Sequence, residues 1–419
     1  MNSSPSLYPA GVSAAVRSQW EAAGRSPSLL PDEPLLTQLI DAAYQASLLR
    51  EEREPVRCRI ALGSVADFQS NSLTTLIFRN KVPLTAHEIR KLAGAAGFYR
   101  SLLAVEVREN APLSVWGIVN TGTRWVNRVN GGRLDDVPLP SNLVLQIIGP
   151  GHLVIASGDV RILETSGGVL LTDAFDPFLS KWLPQRFHTV RQSLLQSLPP
   201  PAPGELSTRI CDSFVKDAAQ SVIRRVLSLV RTRGHGGMLI YVCDQEDAES
   251  LAAKWFRFRV FFRQDRGTRW HRNLMERLVR RLLEIGRAQN MTEITWNDYR
   301  RIIDPEVEDL DEALMEFAHL LADFMSVDGA VVLDRAFRVI GFGAEILGDS
   351  HVSTIRRALD LEADRTISEP ADASGTRHRA AYRLVSGVPD VLALVVSQDG
   401  AVRFVASHNQ QLTYWPYLP

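Results

Sequence analysis

The spacing of apolar positions changes its period along the chain. Over Leu35–Arg50 and again over Thr85–Phe98 apolar residues recur at helical intervals. Short runs rich in β-branched and aliphatic residues follow: V-W-G-I-V, L-V-L-Q-I-I, H-L-V-I-A and G-V-L-L-T. They are separated by Asn130-Gly131-Gly132, Gly149-Pro150-Gly151 and Ser157-Gly158-Asp159, and such turn chemistry between apolar runs predicts hairpins. This pattern predicts an α+β N-terminal domain over residues 34–196. Ahead of it, residues 1–33 are rich in Ser, Pro and Ala and are expected to form a flexible tail with one short helix around Ala14–Ala23.

The pattern breaks at Leu198-Pro199-Pro200-Pro201-Ala202-Pro203-Gly204. Repeated prolines cannot continue a helix or a central strand and make a stiff spacer, so residues 197–205 read as a linker. Beyond it, over residues 206–419, helix and strand signals alternate. Arg209–Arg231 has helical spacing and runs into Gly237-Met238-Leu239-Ile240-Tyr241-Val242, a buried-strand pattern entered through glycines. A further helix is predicted over Ala313–Phe324, a strand after Asp328-Gly329, and a fully buried strand at V-L-A-L-V-V, Val391–Val396. The fold class expected here is an α/β domain with a mixed central sheet flanked by helices.

Length and composition narrow the classes. At 419 residues, 45% of them hydrophobic, the chain exceeds what one core usually supports, and two domains are expected. A formal net charge of −1 argues against a protein that coats nucleic acid. Cys58, Cys211 and Cys243 form no C-x-x-C pair, which disfavours a zinc site or disulfide framework and suits a reducing compartment. The N-terminus lacks the basic and apolar regions of a secretory signal, and no apolar run reaches the ~18 residues of a membrane span. A cytoplasmic protein with no membrane partner is expected.

One region departs from the neutral balance. From Lys254 to Arg301, K-W-F-R-F-R-V-F-F-R alternates aromatic residues with arginine, and W-H-R-N-L-M-E-R-L-V-R-R-L-L-E follows at helical spacing. Stacking and phosphate contact would give nucleic-acid binding. The acidic D-P-E-V-E-D-L-D-E-A-L-M-E comes next, however, and favours an amphipathic strand and helix whose arginines are neutralised within the fold. Nucleic acid is therefore not the expected partner.

Candidate chemistry lies near the C-terminus. Ser374–Ala381 read S-G-T-R-H-R-A-A, gathering a hydroxyl, two guanidinium groups and an imidazole. Arginine forks match phosphate oxygens, and a Gly-Thr opening lets backbone N–H groups approach the same anion, so a polyphosphate is the first ligand to consider; the alternative is a basic turn leading into a helix. Asp328 sits beside Gly329 at a strand mouth, where a carboxylate can meet a divalent metal. A second carboxylate, Asp399, follows the buried strand in Ser397-Gln398-Asp399-Gly400.

Together these pieces resemble the diadenylate cyclase domain family. Asp328-Gly329-Ala330 at the start of a strand, Gly375-Thr376-Arg377-His378-Arg379 further on, and a buried strand ending V-V-S-x-acid match its motifs. Gly237–Val242 is similar to its first strand. The resemblance spans roughly Thr208–Pro419. Gln398 and Asp399 stand where the family has two glutamates, about 250–305 is an insertion, and Ala344–Ser374 is longer than usual. The resemblance implies condensation of two ATP into cyclic di-AMP with release of two pyrophosphates. It assigns catalysis to Asp328, Gly329, Ala330, Arg377, His378 and Arg379. ATP binding falls to Leu239, Gly375, Thr376, Arg377, His378, Arg379 and Ser397, and Mn²⁺ or Mg²⁺ binding to Asp328 and Asp399. It further implies that two domains, one ATP each, must meet face to face, with the N-terminal domain as a sensor that regulates them. The competing expectation is a non-catalytic sensor of a nucleotide or cyclic dinucleotide built on the same fold.

Overall fold

A computed structural model of the chain describes residues 9–69, 73–98, 100–108, 111–121, 139–170, 176–198, 207–242, 248–348, 351–398 and 400–417. The described residues up to 170 form one unit and those from 176 onward a second.

In the first unit, Val12, Val16 and Trp20 fall at intervals of four in α1 (Pro9–Ala22), and this stripe is buried. The helix packs on α2 (Glu33–Ser47), whose start is capped by Asp32, its carboxylate accepting from Leu35 N at 3.0 Å. The short helix expected around Ala14–Ala23 is present, and over residues 9–33 the expected loose tail is corrected. Order begins before Pro34, because a three-residue apolar stripe, masked by Ser and Ala around it, anchors the helix in the core. A two-residue ribbon of β1 (Arg50–Glu51) and β2 (Glu54–Pro55) leads into an eight-stranded sheet. Its strands are β3 (Cys58–Leu62), β4 (Thr74–Pro83), β5 (Ser101–Arg108), β6 (Ala111–Asn120), β7 (Leu143–Gly149), β8 (His152–Ser157), β9 (Val160–Ser166) and β10 (Val169–Leu170). They are ordered β10-β9-β8-β7-β3-β5-β6-β4, antiparallel except for β3 beside β5. Helix α3 (Ala86–Ala93), capped by Thr85, stops at Gly94, short of the expected Phe98. Glycines 151 and 158, both at positive φ, close the β7–β8 and β8–β9 turns; the Asn130-Gly131-Gly132 turn lies outside the described residues.

The second unit takes up the chain before the proline run. Phe178, Trp182, Leu183 and Leu194, around the short helices α4 (Trp182–Gln185) and α5 (His188–Gln196), are buried in the same core as the following helices and strands, and Trp182 stacks on Trp415 at 4.1 Å. These aromatic residues need a sheet face to cover them, which the linker reading overlooked. Residues 199–206 lie outside the described set.

The core of this unit is a nine-stranded mixed sheet. Its strands are β12 (Gly237–Val242), β13 (Phe256–Phe261), β15 (Ala330–Asp334), β16 (Val339–Ile346), β17 (Thr354–Ala358), β18 (Thr366–Pro370), β19 (Leu392–Val396), β20 (Val402–His408) and β21 (Gln411–Tyr417). The order is β13-β16-β15-β12-β19-β20-β21-β17-β18. A separate parallel pair joins β11 (Arg209–Ile210) to β14 (Glu293–Ile294). Side chains alternate across the sheet. Leu239, Tyr241, Val331, Leu333, Leu394 and Val396 pack into one core with α6 (Phe214–Arg233), α8 (Trp270–Ala288) and α10 (Pro305–Phe324). Met238, Ile240, Ala330, Val332, Ala393 and Val395 share the other with α11 (Thr376–Gly387).

The expected insertion is built into this architecture. It supplies α7 (Ala248–Trp255), β13 at one edge of the sheet, α8 and α9 (Trp296–Arg301). Leu274, Leu278 and Leu282 bury one face of α8. Its arginines meet the acidic stretch that follows: Arg281 donates to both carboxylate oxygens of Asp304, at 3.2 and 2.7 Å, and to Glu284 at 3.0 Å. These bonds hold the Asp304 carboxyl below its ordinary range. The extra length at 344–374 forms the β17–β18 hairpin at the other edge.

Candidate functional site

Strand direction brings three separate parts of the sequence to one end of the sheet. β12 and β15 run parallel and start there, with Met238 opposite Ala330, while β19 runs against β12 and finishes there, with Val396 opposite Gly237. Asp328-Gly329, Gly236 and Ser397 therefore share one rim. α11 begins at the same rim, where Arg377 Nη2 lies 4.0 Å from Asp328 Oδ1. The Asp328 side chain is fully exposed.

The backbone under Asp328 depends on glycine. Gly329 has φ +108°, and a Cβ there would lie 2.5 Å from the carbonyl carbon of Gly343 and 2.8 Å from Ala344 N. Only glycine lets the start of β15 press against β16 in this shape. Gly329→Ala is expected to cost about 2–4 kcal/mol from strain and overlap, seen as a lower urea midpoint for the second unit. An unchanged midpoint would show that the turn relaxes freely.

At the start of α11, Gly375 occupies the N-cap position and no side chain caps the first turn. Uncapped N–H groups at a helix start attract anions, reinforced by the helix dipole. Thr376 and Arg379 are exposed here, and with His351, Asp372, Tyr382 and Arg383 they line a cleft of about 290 Å³. Arg403 on β20 supports this turn from beneath. Its Nη1 donates to the Tyr382 hydroxyl at 2.6 Å and to Ser374 Oγ at 3.0 Å, and its guanidinium lies 4.4 Å from the centre of the Tyr414 ring. Tyr414 in turn donates to Glu369 Oε2 at 2.6 Å. Sequence reading missed Arg403; its one signal is a cation inside the apolar V-R-F-V-A run.

Not every expected site residue turns an open side chain to this rim. Leu239 is fully buried on the opposite face of the sheet, in the core with α6, α8 and α10, so its assignment to ATP binding is corrected. The expectation took the strand as a whole, whereas alternation turns Met238 and Ile240, and not Leu239, toward α11. His378 is buried within α11, its ring 6.4 Å from that of Tyr382, and Ala330 is buried at the start of β15. The Ser397 hydroxyl donates to Ala401 O at 3.1 Å, closing the β19–β20 turn. Asp399 lies outside the described residues.

Among the described residues, Asp328 is the carboxylate that stands beside Arg377 at the rim and can serve as a hard oxygen ligand. Among the described residues no group of three or more His, Cys, Asp or Glu side chains could hold an ion unaided. Mg²⁺ is commonly held by one or two carboxylates together with substrate phosphates, so Asp328 fits an ion that arrives with a triphosphate.

The first unit has a polar side of its own. Arg59 on β3 is buried on the sheet face away from Cys58 and Ile60, and its Nη2 donates to Thr121 Oγ1 at 3.1 Å. Burial pulls its guanidinium down to about 9, with Asp159 acting in the opposite sense. On the same sheet His152 and Arg161 both meet the buried Glu164 carboxylate, at 2.5 and 2.9 Å. Cys58 is inert, its thiol pushed up to about 12 by burial.

Comparison with known proteins matches residues 25–120 to a family model described as probable sensor domain DACNV. That stretch runs from the end of α1 to the end of β6 and supports a sensor domain in the N-terminal part of the chain. No curated protein and no solved structure matches. Among the described residues no helix is long and apolar enough to cross a membrane.

Proposed function

We propose that the chain is a diadenylate cyclase, its second unit condensing two ATP into cyclic di-AMP and its first unit regulating that reaction. The observation that carries the reading is the meeting of Asp328 and Arg377, from motifs about fifty residues apart, at a rim where a helix also starts without a side-chain cap. A sensor domain of the matched kind, typically found with diadenylate cyclases, supports the same reading.

In this mechanism the first turn of α11, with Thr376, Arg377 and Arg379, grips the triphosphate and orients its α-phosphate toward the 3′-hydroxyl of a second ATP held by a partner domain. The hydroxyl oxygen bonds to the α-phosphorus, the bond from that phosphorus to the bridging oxygen breaks, and pyrophosphate leaves in line. Asp328, exposed at the rim, accepts the hydroxyl proton. Arg377 and Arg379 offset the charge that collects on the departing pyrophosphate. Mg²⁺ or Mn²⁺ held by Asp328 and phosphate oxygens would neutralise phosphate charge and make the attacking hydroxyl more acidic. Two such reactions close the ring.

The test is incubation of the full-length protein with ATP and Mn²⁺, with products identified by chromatography. Cyclic di-AMP and pyrophosphate are expected, and the rate per molecule should climb with protein concentration in the dilute range, because two half-sites must meet. ATP bound but unconverted at every concentration would identify a nucleotide sensor instead. Neither binding nor turnover would refute both.

A further inference from the structure

Against the face of the nine-stranded sheet opposite α11 lies a half-open chamber of about 80 Å³, walled by β12, β19, β20, α6, α8 and the α4–α5 segment. Tyr241 lies four residues along β12 from Gly237, so the chamber is at the far end of the strands from Asp328 as well as on the other face. Its walls are almost wholly apolar, with two exceptions in the interior. The Tyr241 hydroxyl and His271 Nε2 are both buried, both line the chamber, and neither has a hydrogen-bond partner. They flank one ring: Phe337 stacks on His271 at 4.2 Å and meets Tyr241 edge-on at 5.4 Å.

Two neutral hydrogen-bonding groups left unsatisfied in an apolar chamber are costly, and buried polar groups in folded proteins nearly always have a partner. Ordered water is one way to satisfy them. A single water needs only ~10–15 Å³ of such space, however, and the apolar walls offer further waters no bonds. A ligand that puts a polar tip into this interior, with part of its apolar body in the open mouth, fits better. The partly exposed rim supplies the other end of the recognition. Arg191, Lys216, Arg272 and Arg335 line it, and no lining residue is acidic. Three of these cations also pair with acids outside the chamber (Asp217, Glu276 and Asp390), while Arg191 donates to Pro184 O at 2.5 Å.

We infer that this chamber is a second ligand site, for a small apolar carboxylate that carries a hydroxyl at its far end. The hydroxyl donates to one of the two interior groups and accepts from the other, the ring or chain fills the apolar space, and the carboxylate faces the rim cations. The site shares no residue with the Asp328 rim, and its occupancy does not depend on turnover of ATP.

Binding to the full-length protein is measured by calorimetry with three probes: 4-hydroxybenzoate, benzoate, which lacks the hydroxyl, and phenol, which lacks the carboxylate. 4-Hydroxybenzoate should bind at least tenfold more tightly than either. Tyr241→Phe keeps the ring and should cut 4-hydroxybenzoate affinity about tenfold while leaving benzoate unchanged. Ala219→Phe, which fills the chamber from α6, should abolish binding of all three. Binding at equal strength for 4-hydroxybenzoate and benzoate, binding unaffected by both variants, or a chamber that holds water and takes none of the probes would each overturn the inference.

Discussion

Asp328→Asn is expected to lower cyclic di-AMP formation by about 10³-fold, the scale of losing a positioned proton acceptor together with charge stabilisation. Folding should be unaffected. The side chain is fully exposed, and its contact with Arg377 is a long 4.0 Å pair at a solvated rim, a kind of interaction that adds little to stability. ATP should still bind through the first turn of α11, so the loss should fall on turnover. The measurement is product formation alongside ATP affinity and the urea midpoint. Activity within a few fold of wild type would remove Asp328 from the chemistry.

The second large effect is on stability at low pH. His271 is buried, 5% exposed, and burial pulls its imidazole down to about 3. An unfolded chain binds this proton near pH 6.5. Because the folded pKa is depressed, the neutral ring stabilises the fold above pH 6.5, and that contribution is lost as pH falls toward 3, at up to ~1.4 kcal/mol per pH unit. The charged groups at the chamber rim are Arg191, Lys216, Arg272 and Arg335, three of them paired with acids, so burial carries the effect. Carboxylates such as Asp304, paired with Arg281, add their own acid sensitivity at lower pH. His271→Phe keeps a ring on Phe337 and removes the titration. Its urea midpoint should vary much less than wild type between pH 6.5 and 4. Parallel profiles for the two proteins would show that the ring reaches solvent.

Much of this architecture was readable from residue spacing, and the failures share a cause. Apolar runs marked β7, β8, β12 and β19, whose side chains are buried on both faces of their sheets, and helical spacing marked α2, α8 and α10, which bury one side. The short helix around Ala14–Ala23 was legible, but its burial in the core was not, because only three apolar residues anchor it. The α4–α5 segment was assigned to the wrong unit because a proline run marks stiffness, not where aromatic side chains find cover. At the rim, Asp328 and the start of α11 were legible as motifs. Arg403 was not, since what makes it matter is a neighbour twenty-one residues away in sequence, Tyr382. Leu239 failed for a geometric reason, since a strand presents only every second side chain to a given face.

Among the described residues, the nine-stranded sheet ends in two edge strands, β13 and β18, each paired on one side only. An open strand edge is a template for runaway polymerisation, in which each molecule extends the sheet of the last. Both edges carry deterrents. Arg257 and Arg259 stand exposed along β13, and β18 finishes at Pro370, which has no N–H to offer a newcomer. The arginines that looked like a nucleic-acid signature thus guard an edge against fibre growth. Replacing them would remove that guard and favour insoluble sheet extension over reversible assembly.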